Sequence, residues 1–222
     1  MTDETFESLD EAIERIDDAI FDEEFDRATS LLNEALEQLG DAPELSVLEA
    51  ELAYEQDQFE ECVEICEARL GEWHELGDDA PDVYVAELLA FKAYSLFYLD
   101  ADERAREVFN DAVRQDPESW MAILGRATVH EFQGYLRAAL LDLDRAIWLD
   151  DQEPEPFSLR GSVHLQLGNH DDAERDFGYA VEIDPYDEEA RLNLARLQAL
   201  DGRRAEATET LASLVDEGVD PM

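Results

Sequence analysis

The sequence predicts an all-α fold, an array of six helix-turn-helix units, and three observations carry that prediction. Small and apolar residues recur with a period of 34 residues along most of the chain. Within each period they fall at steps of 3 and 4, the spacing of one face of a helix. A turn residue recurs at a fixed place between the two amphipathic segments of each period.

The second segment of each unit sets the register. It opens at Ala28, Cys62, Ala105, Ala139, Ala173 and Ala207, separated by 34, 43, 34, 34 and 34 residues. Four residues on stand Leu32, Cys66, Phe109, Leu143, Phe177 and Leu211, and eight on stand Leu36, Leu70, Val113, Ile147, Val181 and Val215. Twelve residues before each opener lies the mostly small column of the first segment: Ile16, Ala50, Ala93, Ala127, Gly161 and Ala195. Small residues belong where the two helices of a unit press closest. The turn column reads Glu23, Asp57, Asp100, Gly134, Gly168 and Gly202.

In chain order, the units are 9–42, 43–76, 86–119, 120–153, 154–187 and 188–221. Units one and two have acidic turns and the weakest pattern. Between units two and three falls an insertion, 77–85, within GEWHELGDDAPDV. Its approach prolongs the second helix of unit two, and Gly77, Asp78, Asp79 and Pro81 then break it. Pro117 and Pro185 end the second helices of units three and five, and Pro43, Pro81 and Pro154 interrupt the chain near other junctions. Each unit can bury its apolar face only against its neighbours, so the six stack into one curved solenoid over residues 1–222.

The period, the small columns and the proline stops resemble the tetratricopeptide repeat family, whose pattern runs aromatic, Leu-Gly, Tyr, then Ala, Phe, Ala, Pro. The nearest copies are SWMAILGRATVHEFQGYLRAALLDLDRAIWLD and PFSLRGSVHLQLGNHDDAERDFGYAVEIDP. The resemblance implies a right-handed solenoid, protein–protein recognition rather than catalysis, and a peptide or helix held in a concave groove lined by first helices.

Composition narrows the partner. Lys plus Arg number 16 against 59 Asp plus Glu, a net charge of −43. That surface repels a phosphate backbone and an anionic membrane, so neither nucleic acid nor membrane is the expected partner. The start, MTDETFESLDEAIERIDD, has no cationic or apolar leader, and the greasiest stretch, Ala86 to Leu99, contains Glu87 and Lys92 and is too short to span a bilayer. With two cysteines framing no loop, a reducing cytoplasm is expected. Of the 16 cations all but Lys92 are Arg. A carboxylate surface almost free of Lys looks like that of proteins bathed in molar salt, where a Debye length of about 3 Å quenches self-repulsion.

Little in the chain suggests chemistry. Lys92, Arg126 and Arg160 form a ladder 34 residues apart, with Arg15 in the same column. A basic recognition stripe would need those cations free; Asp142 and Asp176, each 16 residues on from Arg126 and Arg160, favour ion pairs within the unit instead. Lys92 has Glu107 nearest that column, and Arg15 has none. Cys62 and Cys66, one helical turn apart in core columns, read as small buried hydrophobes. His130 and His164 share a column and could face each other, but no third ligand stands at a metal-site spacing. No HExxH, GxSxG or GxxxxGK motif is present, so no catalytic residue, metal or cofactor is expected. Trp73 either anchors a partner or folds back onto its own array.

The expected function is therefore a non-enzymatic scaffold or adaptor holding a partner polypeptide, with a dedicated chaperone for one unstable client as the alternative. Because the small column must face its own second helix, residues one further along and one turn away point to the concave side. These are Tyr94, Tyr98, Leu124, Thr128, Phe132, Ser158, Ser162, Leu192 and Arg196, with Ile13, Asp17, Val47 and Glu51 in units one and two. The family's carboxylate-clamp pattern of Lys, Arg and Asn is missing; only Arg196, with Arg191, Arg203 and Arg204 nearby, could receive a negative chain end.

Overall fold

A left-handed residue at a fixed register position turns each first helix into its second. The computed structural model describes residues 6–76 and 82–217. Among the described residues there are twelve helices and no strand: α1 Leu9–Phe21, α2 Phe25–Leu39, α3 Pro43–Glu55, α4 Phe59–Leu76, α5 Asp82–Tyr98, α6 Asp102–Gln115, α7 Trp120–Phe132, α8 Leu136–Leu149, α9 Glu155–Gln166, α10 His170–Ile183, α11 Glu188–Leu200 and α12 Arg204–Glu217. Odd-numbered helices are the first, even-numbered the second, of six hairpins.

The six turns are built alike. Glu23, Asp57 and Asp100 take φ 57°, and Gly134, Gly168 and Gly202 take φ 76°, 78° and 80°. In each, the next residue's N–H reaches back across the turn, as from Glu24 to Ala19 O at 2.8 Å and from Asn169 to His164 O at 2.8 Å. The turn residue itself donates to a second carbonyl, as from Glu23 to Ile20 O at 2.9 Å. This double closure satisfies the carbonyls that a helix end leaves open, and only a positive φ permits it.

The small columns are buried where the hairpins close. Ile16, Ala50, Ala93, Ala127, Gly161 and Ala195 are all buried, as are Ala28, Cys62, Ala105, Ala139, Ala173 and Ala207. Gly161 lies against the Phe177 ring, where an added Cβ would come within 2.7 Å. Gly125 is tighter still: a Cβ would meet the Phe109 ring at 2.3 Å and Tyr94 at 2.7 Å.

Backbone contacts divide the chain into two compact units, Met1–Gly125 and Arg126–Met222. In the first, one cluster joins Ile16, Leu31, Leu45 and Leu48 from α1, α2 and α3. A second joins Val47, Cys62, Cys66, Leu88 and Phe91, with Trp73 and Tyr84 packed against it. Trp73 thus lies half-buried on its own array. In the second unit, Phe157, Ala180 and Ala190 form one cluster and Ala173, Phe177 and Leu197 another. No described helix is long and apolar enough to cross a membrane.

The third hairpin departs from its expected start. α5 begins at Asp82, inside the span assigned to the insertion, and Tyr84 Oη donates to Glu44 Oε1 at 2.8 Å. Asp82 provides an acidic first turn, and Val83 and Tyr84 extend the helix beyond the 34-residue unit. Gly77, Asp78, Asp79 and Pro81 lie outside the described residues.

Candidate partner-binding surface

The first helices of the middle hairpins are apolar nearly all round, and this decides which of the expected partner-binding residues reach solvent. In α7, Ala122, Ile123, Leu124, Ala127 and Val129 are all buried. Leu124, expected to face a ligand, is 1% exposed and belongs to the core. A helix hydrophobic on every side is covered on every side, so one buried column does not imply an open face opposite. Tyr94 is half-buried: its Oη donates to Met121 O at 3.2 Å, and its ring meets Phe109 edge-on at 4.9 Å. It is a packing residue. Thr128 and Ser162 are half-buried, and Ser158 Oγ donates to Asp187 Oδ2 at 3.4 Å. Leu192 and Arg196, on α11, are exposed.

Exposure concentrates one turn later, at the C-terminal ends of the first helices. Two residues before the turn column stand Phe21, Glu55, Tyr98, Phe132, Gln166 and Leu200. Phe21 is 89% and Tyr98 57% exposed, and Phe132 and Leu200 are exposed to a similar degree. Tyr98 and Phe132 were expected here from sequence; Phe21 and Leu200 belong to the same column and were legible by the same count.

In the first unit, Tyr98 stacks on Phe59 with ring centroids 4.7 Å apart and 9° between planes, and Tyr54 flanks both. Nearby lies a cleft of about 430 Å³ lined by Asp17, Ile20, Phe21, Glu23, Glu51 and Glu55. Burial, with the neighbouring charges of Asp17, Glu55 and Glu87, pushes the Glu51 carboxyl up to about 7. Asp17 and Glu87 are raised as well, each chiefly by burial. The surface is aromatic and acidic, suited to cationic and apolar side chains.

In the second unit, Phe132 is exposed on α7, and on α11 Leu200 stands one turn on from the exposed Arg196. Arg191, by contrast, is buried, and Arg203 is held by Glu174, by Glu206 at 3.2 Å and by Asp201 at 3.4 Å. Arg196 and Arg204 are thus the exposed cations of that expected group.

The cation ladder is structural. Arg126 Nε and Nη2 donate to the two oxygens of Asp142 at 2.9 and 2.6 Å, and Arg160 does the same to Asp176 at 2.9 and 2.7 Å. Both carboxylates are buried, and stranding one by removing its arginine would cost about 3 kcal/mol or more. Burial alone would raise the Asp142 carboxyl; His130 and Arg126 outweigh it and hold it below the usual range. His130 Nδ1 stands 3.2 Å from Asp142 Oδ2, and His164 Nε2 3.9 Å from Asp176 Oδ2. Each histidine therefore serves its own hairpin's carboxylate, a partnership the shared His column did not reveal. Lys92 pairs with Glu67 at 2.9 Å, on the preceding hairpin, rather than with Glu107. Arg15 pairs with Glu11 at 3.4 Å and lies over the Phe6 ring.

Cys62 and Cys66 are free thiols, fully buried. The Cys62 neighbour and burial together push the Cys66 thiol up, away from thiolate formation. Among the described residues no group of three or more His, Cys, Asp or Glu is placed to hold a metal ion.

Comparison with known proteins follows the same lines. A tetratricopeptide repeat family model matches residues 164–221. The Homo sapiens DnaJ homolog subfamily C member 3 is 32% identical over 108 residues, 47% of this chain. The chain spans about 21% of the length of that relative. MamA (41-end) from Desulfovibrio magneticus RS-1 superposes with a TM-score of 0.65 at 19% identity, over 82% of this chain and 99% of MamA. The first tetratricopeptide domain of Spaghetti (RPAP3), bound to the HSP90 peptide SRMEEVD, superposes with a TM-score of 0.52 at 22% identity, over 56% of this chain and 98% of that domain. Residues 164–221 thus carry the tetratricopeptide repeat pattern, and the chain shares the fold of these solved structures.

Proposed function

We propose that this protein is a non-enzymatic scaffold that holds a partner polypeptide against the exposed ends of its first helices. The column of Phe21, Tyr98, Phe132 and Leu200 carries the reading: four large side chains more than half exposed at one register position. Exposed aromatic rings of this kind mark recognition surfaces, and they keep their affinity in salt that screens charge. The aromatic and acidic face of the first unit favours a segment that alternates apolar with basic side chains. The peptide-bound RPAP3 domain supports a polypeptide as ligand on this fold. The charge of −43 and the single Lys support a working environment of molar salt in a cytoplasm.

The test begins with capture of the partner by cross-linking in about 2 M KCl, where the screening length is short. The double change Tyr98→Ala with Phe132→Ala is expected to weaken that capture by about tenfold or more at unchanged helicity. Undiminished capture, or loss of helicity along with binding, would overturn the assignment.

A further inference from the structure

The outer face of α8 differs from that of the other second helices. Counting from the small opener, one solvent stripe of a second helix runs through the residue two before it and those two, six and nine after, a spacing of i, i+4, i+8 and i+11. In α2 this stripe is Asp26, Ser30, Glu34 and Glu37, and in α6 it is Glu103, Glu107, Asp111 and Arg114. In α8 it is Arg137, Leu141, Arg145 and Trp148. Leu141 is 72% and Trp148 77% exposed. An exposed leucine and tryptophan on one stripe of a helix, with exposed Arg137 at its start and half-buried Arg145 between them, is a contact surface.

Charge says what covers it. Two copies of a chain carrying −43 repel wherever carboxylates meet. α8 has two acidic residues, Asp142 and Asp144, and both are already engaged: Asp142 by Arg126, and Asp144 by Arg160 Nη1 at 2.7 Å. The exposed side chains of its outer stripe, Arg137, Leu141 and Trp148, thus include no carboxylate on an otherwise acidic molecule.

The order along the stripe is also self-complementary. Laid antiparallel on a second α8 about a twofold axis, the first position meets the last and the second meets the third. Arg137 then lies on the Trp148 ring of the other copy, a cation–π pair made twice, and each Leu141 packs on the aliphatic stem of the other copy's Arg145.

We propose that the outer face of α8 binds a second copy of this chain through this antiparallel contact. The proposal is independent of the first-helix face that holds the partner polypeptide.

The test is the mass of the full chain in about 2 M KCl, followed by light scattering and sedimentation from about 1 to 200 μM. A concentration-dependent dimer is expected, and Trp148→Ala should raise its dissociation constant by about tenfold or more. Arg137→Trp and Trp148→Arg should each weaken the dimer, while the double swap restores it, because the swap re-forms the same pair in the opposite order. Far-UV circular dichroism checks that each variant keeps its helices. A monomer throughout the range, a dimer indifferent to Trp148→Ala, or a double swap no better than its single changes would overturn the proposal.

Discussion

Glu51 illustrates what a −43 chain costs at one residue. It titrates near 7 in the fold against 4.5 for a free glutamate, because burial and the Asp17, Glu55 and Glu87 charges all oppose its ionisation. Between those values the folded state keeps a proton that the unfolded chain has lost. The stability tied to that proton is full below pH 4.5 and is lost as the pH rises through 7. Glu51→Gln should therefore raise the melting temperature at about pH 8 and leave it nearly unchanged at about pH 4.5, a difference that thermal melts of both forms across this range would read. The paired arginines show the converse case. Their partners were legible because Asp142 and Asp176 recur at the same distance from Arg126 and Arg160. Glu67 was not legible as the partner of Lys92, since it lies on the preceding hairpin, beyond the insertion that breaks the spacing.

At the scale of the helix, the turn column separates good from strained solutions to one geometry. Glycine takes φ near 76–80° freely, whereas Glu23, Asp57 and Asp100 hold φ 57° against the clash of their Cβ with the backbone. Glu23→Gly should stabilise the first hairpin by about 1 kcal/mol, and Gly168→Ala should cost the fifth about as much. Urea unfolding followed by circular dichroism would give both signs. The turns and the small columns were legible because backbone geometry and close helix contact restrict residue type at fixed positions. Which side of a first helix stays open was not. In α7 apolar residues surround Arg126 and Thr128 on both sides, so periodicity offered no means of telling that Leu124 is covered while Phe132, two turns on, is exposed. Likewise, nothing in the count of residues foretold that Tyr94 would spend its hydroxyl on Met121 O.

For the whole molecule, charge sets the conditions under which the fold persists. Dispersed carboxylates repel in dilute buffer and are screened in molar salt. The melting temperature should rise by about 10 °C or more between about 0.1 and 2 M KCl, a change of a few kcal/mol for a chain of this size. A melt flat across that range would remove the case for a salt-adapted surface. The placement of the two thiols adds a different handle. Cys62 and Cys66 are the only cysteines in the sequence, both lie in the unit Met1–Gly125, and both are wholly buried there. A thiol-modifying reagent in solution can reach them only while that unit is transiently open, so the rate of modification is a clock that counts openings of the first unit and is silent to the second. Set beside the rate at which total helix melts, that clock reads whether the two units come apart together or one at a time.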